Sequence, residues 1–202
     1  MALWLAAHPL VLASRSSSRR ALLEAAGVPI EVYPADVDER RLEMGAGWQP
    51  PAAVATLLAR AKATVGARTH RGLLVLGADQ TLALGALRFA KPANRAAARA
   101  QLQALSGHTH ELHSAIALMQ DDGGLFEHVS SARLTMRALS ERTLDLYLDA
   151  VGDAATTSVG AYQIESLGIQ LFERIDGDYF TVLGLPLLAA LDFLRRRGCL
   201  VS

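Results

Sequence analysis

The chain has 202 residues, 51% hydrophobic, 20% charged and 5% aromatic, which describes an ordinary globular protein with an aliphatic core. Its 20 basic and 20 acidic side chains cancel to a formal net charge of zero, which removes any global electrostatic case for binding nucleic acid or a membrane surface. The single cysteine, Cys199, excludes an intrachain disulfide and fits a reducing, cytoplasmic compartment. No run reaches the roughly eighteen apolar residues that a membrane span needs. The apolar start, residues 1–13, has no positive charge before it and is interrupted by His8-Pro9, so it reads as a buried first strand and not as a signal segment. The length suits one domain over residues 1–202.

In chain order, residues 10–13 read as a buried strand and 19–26 as a helix, with Leu22, Leu23 and Ala26 on one face and Gly27 at its end. Residues 30–33 are a second strand, running into the acidic loop Asp36-Val37-Asp38-Glu39. Pro50-Pro51 opens an alanine-rich helix to about Gly66, in which Val54, Leu57, Leu58 and Ala61 keep the helical period. Residues 73–76 are continuously apolar, as in a strand buried on both faces, and end at Gly77-Ala78-Asp79-Gln80; residues 81–84 continue beyond a bend. Residues 88–92 are a loop, and Asn94 caps a helix over 95–105 that Ser106-Gly107 terminates. Residues 110–119 and 125–137 form a hairpin about Asp121-Asp122-Gly123-Gly124. Ser140 caps a helix over 141–150, a loop leads to Glu165, and 170–175 is strand-like. Gly177-Asp178-Tyr179 is a turn, and 186–197 is the last helix, closed by Gly198. Strands alternating with helices, followed by a hairpin, predict an α/β fold with a mixed central sheet.

Chemistry concentrates at a few places. Ser14, Ser16, Arg19 and Arg20 stand where the first strand gives way to the first helix. Cations in a first turn oppose the helix dipole, and a bound anion would compensate them. A serine-capped helix whose arginines point at water has the same sequence. Asp79 ends a buried strand, where open α/β sheets bind ligands; aspartates also cap turns there. Lys91-Pro92 follows, and a bend would return the lysine towards Asp79; Lys62 reaches the same region from its helix, although most helix lysines are simply solvated. Asp36, Asp38 and Glu39 suit the oxygen ligands that Mg²⁺ prefers, or a solvated turn. His108, His110 and His113 form no metal pattern, and the P-loop, dinucleotide and serine-nucleophile fingerprints are absent. Basic groups, one strand carboxylate and no covalent nucleophile suit phosphate-ester chemistry.

The order of these motifs resembles the Maf family of nucleoside triphosphate pyrophosphatases. Leu12-Ala13-Ser14-Arg15-Ser16-Ser17-Ser18-Arg19-Arg20 is similar to the family's L-A-S-x-S-P-x-R-R. Leu76-Gly77-Ala78-Asp79 is similar to its G-A-D, Lys91-Pro92 to its G-K-P, and Leu105-Ser106-Gly107-His108-Thr109-His110 to its L-S-G-x-x-H. Gly177-Asp178-Tyr179 and Val182-Leu183-Gly184-Leu185-Pro186 are similar to its G-D-Y-x-x-V-x-G-L-P. The resemblance implies an elongated mixed sheet flanked by helices, with two lobes and a cleft between them. It implies hydrolysis of a nucleoside triphosphate to the monophosphate and pyrophosphate with a divalent cation, Mg²⁺ or Mn²⁺. Asp79 would be the proton acceptor and, with Glu39, a metal ligand. Ser14, Ser16, Arg19, Arg20, Lys62 and Lys91 would bind the phosphates, and Gln80 and Glu165 the rest of the substrate.

Ser17 departs from the family's proline, which makes the turn before Arg19 less rigid. Gln80 after Asp79, Glu165, and Ser18 at the first arginine position of the pyrimidine branch look more like the 7-methyl-GTP-acting branch than the dTTP- and UTP-acting one. A carboxylate only accepts hydrogen bonds, so it suits the N1–H and N2–H₂ donors of guanine, and N7-methylation adds positive charge that it favours. The resemblance also implies that a homodimer can form. A second reading is a nucleotide-binding regulator of cell division and septum formation with little catalysis; intact Asp79, Lys91 and Arg19 argue against it.

Overall fold

The computed structural model describes residues 3–201. Its strands are β1 (Leu10–Ala13), β2 (Ile30–Val32), β3 (Leu74–Leu84), β4 (Leu87–Phe89), β5 (Thr109–Gln120), β6 (Gly123–Met136) and β7 (Phe172–Asp176). Its α-helices are α1 (Ser17–Ala25), α2 (Glu39–Ala46), α3 (Pro51–Thr69), α4 (Arg95–Leu105), α5 (Glu141–Val151), α6 (Tyr179–Val182) and α7 (Leu187–Arg196). The strands form one seven-stranded mixed sheet in the order β2-β1-β3-β5-β6-β7, with β4 paired to β3. The expected α/β class with a mixed central sheet is what the chain adopts. β1 runs parallel to β2 and to β3, in the register Val11↔Val75, Leu12↔Leu76 and Ala13↔Gly77. β7 runs antiparallel to β6.

The chain divides into two compact units. The first takes the described residues up to Gln80, then His113–Ser130, then the chain from Tyr179 onward; the second takes Thr81–Leu112 and Ser131–Asp178.

In the first unit, alternation along each strand sorts the core into two layers. Leu10 and Leu12 of β1, Leu76 and Ala78 of β3, and Ile116 and Leu118 of β5 pack with Leu23 of α1 and Leu187, Ala190 and Leu194 of α7. The other face carries Val11, Ala13, Val75, Ala115 and Ala117 against Ala55, Ala59, Ala63 and Ala67 of α3. Those four helix alanines recur every fourth residue, and each is 0% exposed. Small side chains on both surfaces let α3 lie almost on the backbone of β3. A Cβ added at Gly77 would stand 2.1 Å from the carbonyl oxygen of Ala59 and 2.5 Å from the nitrogen of Ala63. At Gly66 it would stand 2.7 Å from Cγ1 of Val75.

In the second unit, α4 and α5 are joined by exposed ion pairs from Arg99 to Glu141 and Asp145 and from Arg95 to Asp149. Beneath the surface, His110, Tyr162 and Phe172 form an aromatic group.

Several boundaries differ from the sequence reading. β3 runs unbroken through Asp79 to Leu84, because beyond the parallel ladder it pairs antiparallel with β4, Leu82 opposite Phe89. Asp79 is therefore a mid-strand residue and not a strand-end one, although it lies beyond Gly77, where pairing with β1 stops. Residues 88 and 89, expected in a loop over 88–92, belong to strand β4. The acidic loop ends in α2, capped by Asp38, whose side chain accepts from the backbone N–H of Arg41. That helix buries none of its residues, so no apolar period announces it. α1 starts at Ser17, ahead of Arg19. Gln170 belongs to a short 3₁₀ turn, and the strand expected from residue 170 begins at Phe172. The expected apolar first strand is confined to Leu10–Ala13; ahead of it, Trp4 bridges to Leu200.

Gly77→Ala is expected to destabilise the protein by about 3 kcal/mol, since overpacking here meets helix backbone and not a flexible side chain. Gly124→Ala, where an added Cβ meets nothing within 4 Å, is the control. Urea unfolding of both variants checks this, and an unchanged midpoint for Gly77→Ala would contradict the close apposition of α3.

Candidate active site

The site begins where β1 stops. Ser16 is the N-cap of α1, and its hydroxyl accepts from the backbone N–H of Arg19 at 3.3 Å. The Ser14 hydroxyl accepts from the N–H of Ser16 at 3.3 Å and from Nη1 of Arg19 at 3.0 Å. Arg19 is 9% exposed. Its Nε donates to the carbonyl of Gly184 at 2.7 Å, and its Nη1 donates to the carbonyl of Ala78 at 2.9 Å. Gly184 has φ of +91°, a conformation that suits glycine, and it brings that carbonyl to the guanidinium. In this structure the guanidinium in the first turn of α1 is met by protein carbonyls and a hydroxyl, and does not point at water. Burial lowers the pKa of Arg19 while Asp79 and Glu39 raise it, and a guanidinium stays charged in such a setting.

Asp79 and Lys62 form the centre. Asp79 follows Gly77 by two residues, so it faces α3. Lys62 leaves α3 between the two residues whose backbone touches Gly77. Its Nζ donates to Oδ1 of Asp79 at 2.5 Å and pairs with Oε1 of Glu39 at 2.7 Å. The Lys62 and Asp79 side chains are 13% and 11% exposed, whereas Glu39 is 48% exposed. Burial raises the pKa of Asp79, opposed by the positive charges of Lys62 and Arg19 and by the hydrogen bond from Lys62. Two cations therefore face two carboxylates, of which Asp79 is buried and Glu39 is open to water.

The expected site residues divide as follows. Ser14, Ser16 and Arg19 are joined by hydrogen bonds, and Lys62, Asp79 and Glu39 by ion pairs; the charge of Arg19 acts on Asp79. Gln80, next to Asp79, points to the opposite face of β3. Its Nε2 donates to the Ser114 hydroxyl at 2.9 Å and to the carbonyls of Thr181 and Val182, each at 3.1 Å. It was expected to touch substrate; in this structure its amide donors hold the α6 segment onto the sheet. Arg20 is exposed and paired with Glu24 one turn along α1 at 2.8 Å, turned away from Arg19 by the 100° step of the helix. Lys91 and Glu165 belong to the second unit, where both are exposed.

Sequence reasoning missed Ser114, whose hydroxyl donates to the carbonyl of Thr181 at 2.7 Å, and the roles of the Ala78 and Gly184 carbonyls. The signal available for Gly184 was a glycine inside a recognisable motif; Ser114 carried none. Among the described residues no group of three or more His, Cys, Asp or Glu side chains is placed to hold a metal. Asp38 is engaged as a helix cap. Glu39 and Asp79 remain, two carboxylates meeting at one ammonium. That is the sparse protein donor set Mg²⁺ accepts when phosphate oxygens complete its shell.

A family model described as Maf-like protein matches residues 9–197. The chain belongs to the Maf family. A nucleoside triphosphate pyrophosphatase of Rhodopseudomonas palustris is 56% identical over 200 residues, 99% of each chain. One of Bradyrhizobium diazoefficiens is 55% identical over 195 residues, 96% of each chain. A 7-methyl-GTP pyrophosphatase of Brucella abortus is 50% identical over 193 residues, 95% of this chain and 97% of that one. The Maf match takes in all of the second compact unit and all of the first except its two ends. No helix among the described residues is long and apolar enough to cross a membrane.

The raised pKa of Asp79 makes a thermodynamic prediction. The folded chain holds this proton more tightly than the unfolded chain does, so the stability it contributes is fully present below the ordinary value of 3.8 and is lost as the pH rises through that value towards the raised one. Asp79→Asn stays neutral throughout. Its melting temperature is expected to exceed that of the unaltered protein at pH 7, with the margin shrinking as the solution is acidified from neutral towards pH 4 and levelling off below it. A margin independent of pH in thermal melts would contradict the burial cost assigned to Asp79.

Proposed function

We propose that the chain hydrolyses a nucleoside triphosphate to the monophosphate and pyrophosphate, with Asp79 as proton acceptor. The observation that carries this reading is the buried Asp79 carboxylate held at 2.5 Å by Lys62 in the field of Arg19. A carboxylate whose pKa is raised is a better general base at neutral pH than an ordinary one. Water attacks the α-phosphorus and passes a proton to Asp79. The new O–P bond forms as the bond from the α-phosphorus to the bridging oxygen breaks, and pyrophosphate leaves with that electron pair. Ser14, Ser16 and Arg19 at the head of α1, with Lys62 and Lys91, bind the phosphates and stabilise charge developing on their oxygens. Arg19 is held rigid by its carbonyl partners, so it needs little reorganisation. Glu39 and Asp79 would hold Mg²⁺ or Mn²⁺, which when bound would neutralise part of the triphosphate charge.

The base is read by Glu165. Its carboxylate accepts from the N1–H and N2–H₂ edge of guanine and favours the positive charge of a 7-methylated ring. Support for this substrate comes from the Glu165 and Gln80 pattern and from a 50% identical relative named a 7-methyl-GTP pyrophosphatase. The zero net charge and the lone cysteine support a cytoplasmic enzyme acting on a small nucleotide.

A panel of 7-methyl-GTP, dTTP and UTP, assayed for pyrophosphate with and without Mg²⁺ or Mn²⁺, tests the reading. The highest kcat/KM is expected for 7-methyl-GTP, and faster turnover of dTTP would overturn the substrate assignment. Asp79→Asn is expected to bind nucleotide and to lose at least about a hundredfold in kcat, the usual worth of a general base. Near-normal turnover in that variant would remove Asp79 from the role.

A further inference from the structure

The second unit contains a constrained stretch that the catalytic reading does not use. Gly160 and Ala161 follow one another with φ of +80° and +61°. Left-handed backbone costs an alanine of order 1 kcal/mol or more and persists only where the surroundings over-determine it. Here they do. The Ser158 hydroxyl donates to the carbonyl of Tyr162 at 2.7 Å, closing the turn on itself. The N–H of Gly160 donates to Oε1 of Gln101 at 3.0 Å, and the Tyr147 hydroxyl donates to the carbonyl of Ala161 at 3.2 Å. A Cβ on Gly160 would stand 2.6 Å from Cε1 of Tyr162 and 2.7 Å from Cδ1 of Leu82. Glycine there is what lets the Tyr162 ring tuck beneath the turn.

The ring ends at His110. The Tyr162 hydroxyl and Nε2 of His110 share a hydrogen bond of 2.7 Å, and both rings lie against Phe172. His110 is 0% exposed. Its Nδ1 has no hydrogen-bond partner among the described residues, so the bond to Tyr162 is what satisfies this buried imidazole. Burial pushes its pKa down to about 4, so the ring is neutral at physiological pH. Leaving a ring nitrogen unpaired is poor design for stability alone. A leucine would fill the space without that cost.

Glu165 follows Tyr162 by three residues, with the N–H of Ser166 donating back to the carbonyl of Gln163 at 3.2 Å. We propose that His110 and Tyr162 are positioning residues for substrate selectivity: their hydrogen bond fixes the turn over residues 158–162 and so sets where Glu165 presents its carboxylate to the base. This rests on the reading of Glu165 given above. The strain at Ala161, the four hydrogen bonds converging on five residues and the half-satisfied histidine are then parts of one device. β5 is the rigid anchor and Glu165 the element it aims.

The test compares Tyr162→Phe, His110→Leu and His110→Gln with Glu165→Gln in the full-length protein, reading the ratio of kcat/KM for 7-methyl-GTP over dTTP. Tyr162→Phe and His110→Leu are expected to lower the ratio about tenfold through KM for 7-methyl-GTP, as misplacing a binding group by a fraction of an ångström does. His110→Gln, which retains a hydrogen-bonding amide, is expected to restore most of it. Amide hydrogen exchange is expected to speed up across residues 160–165 in Tyr162→Phe and not along β5. A folded Tyr162→Phe whose ratio matches the unaltered protein, while Glu165→Gln shifts it, would make the pair simple core packing and overturn the proposal. An unshifted ratio in Glu165→Gln would instead sink the reading of Glu165, and the proposal with it. Should Tyr162→Phe fail to fold, Ser158→Ala removes the closing bond to the Tyr162 carbonyl and carries the same test.

Discussion

The structure of the first unit depends on how closely α3 approaches β3. Glycine at residue 77 and alanine at 55, 59, 63 and 67 remove the side chains that would hold the layers a normal distance apart. Sheet alanines on the facing surface do the same from the other side. The consequence is chemical as well as structural. With backbone against backbone, Lys62 reaches Asp79 from between the residues that touch Gly77, and the carboxylate is shielded by helix and sheet together. A larger residue anywhere along that contact would lengthen the reach and let in water, and the pKa of Asp79 would relax towards its ordinary value.

A second constraint is charge balance. Arg19, Lys62 and Asp79 are drawn into a region with little water, where an uncompensated charge is costly, and Glu39 meets them from its exposed edge. Arg19 is balanced by carbonyls of Ala78 and Gly184 and by the Ser14 hydroxyl, and Lys62 by the two carboxylates. A triphosphate entering such a site adds several negative charges at once. A divalent cation arriving with the nucleotide would restore the balance, which is the physical case for a metal on Glu39 and Asp79. Glu39 is the more exposed carboxylate, at 48% of its side chain, and is the one free to move towards an incoming ion.

How much was legible in the sequence follows from which signals are local. The apolar run at residues 10–13 and the caps at Asn94 and Ser140 stand where their patterns put them; the run read over 73–76 becomes a strand from Leu74, and the hairpin read as 110–119 and 125–137 forms over Thr109–Gln120 and Gly123–Met136. α2 was invisible because it buries nothing and has no apolar stripe. Residues 81–84 were read as continuing beyond a bend, whereas β3 runs straight through; Gly77 makes room for a neighbouring helix, which no local pattern reveals. Asp79, Lys62, Glu39 and Arg19 were legible as candidates for phosphate chemistry from their residue types and places, and the order of the family motifs sharpened them into a set. That Gln80 lies on the opposite face of β3 from Asp79, and Arg20 a helical step away from Arg19, follows from the alternation of a strand and the 100° step of a helix, once the register is known. The partners of Arg19 are backbone carbonyls from distant segments, and carbonyls have no sequence signature.

The assignment of attack at the α-phosphorus is open to direct measurement. Hydrolysis of the preferred nucleotide in ¹⁸O-labelled water, with the products separated and weighed by mass spectrometry, locates the bond that water forms. Water activated by Asp79 at the α-phosphorus places one labelled oxygen in the nucleoside monophosphate and none in pyrophosphate. Label in pyrophosphate, or release of labelled orthophosphate, would contradict it.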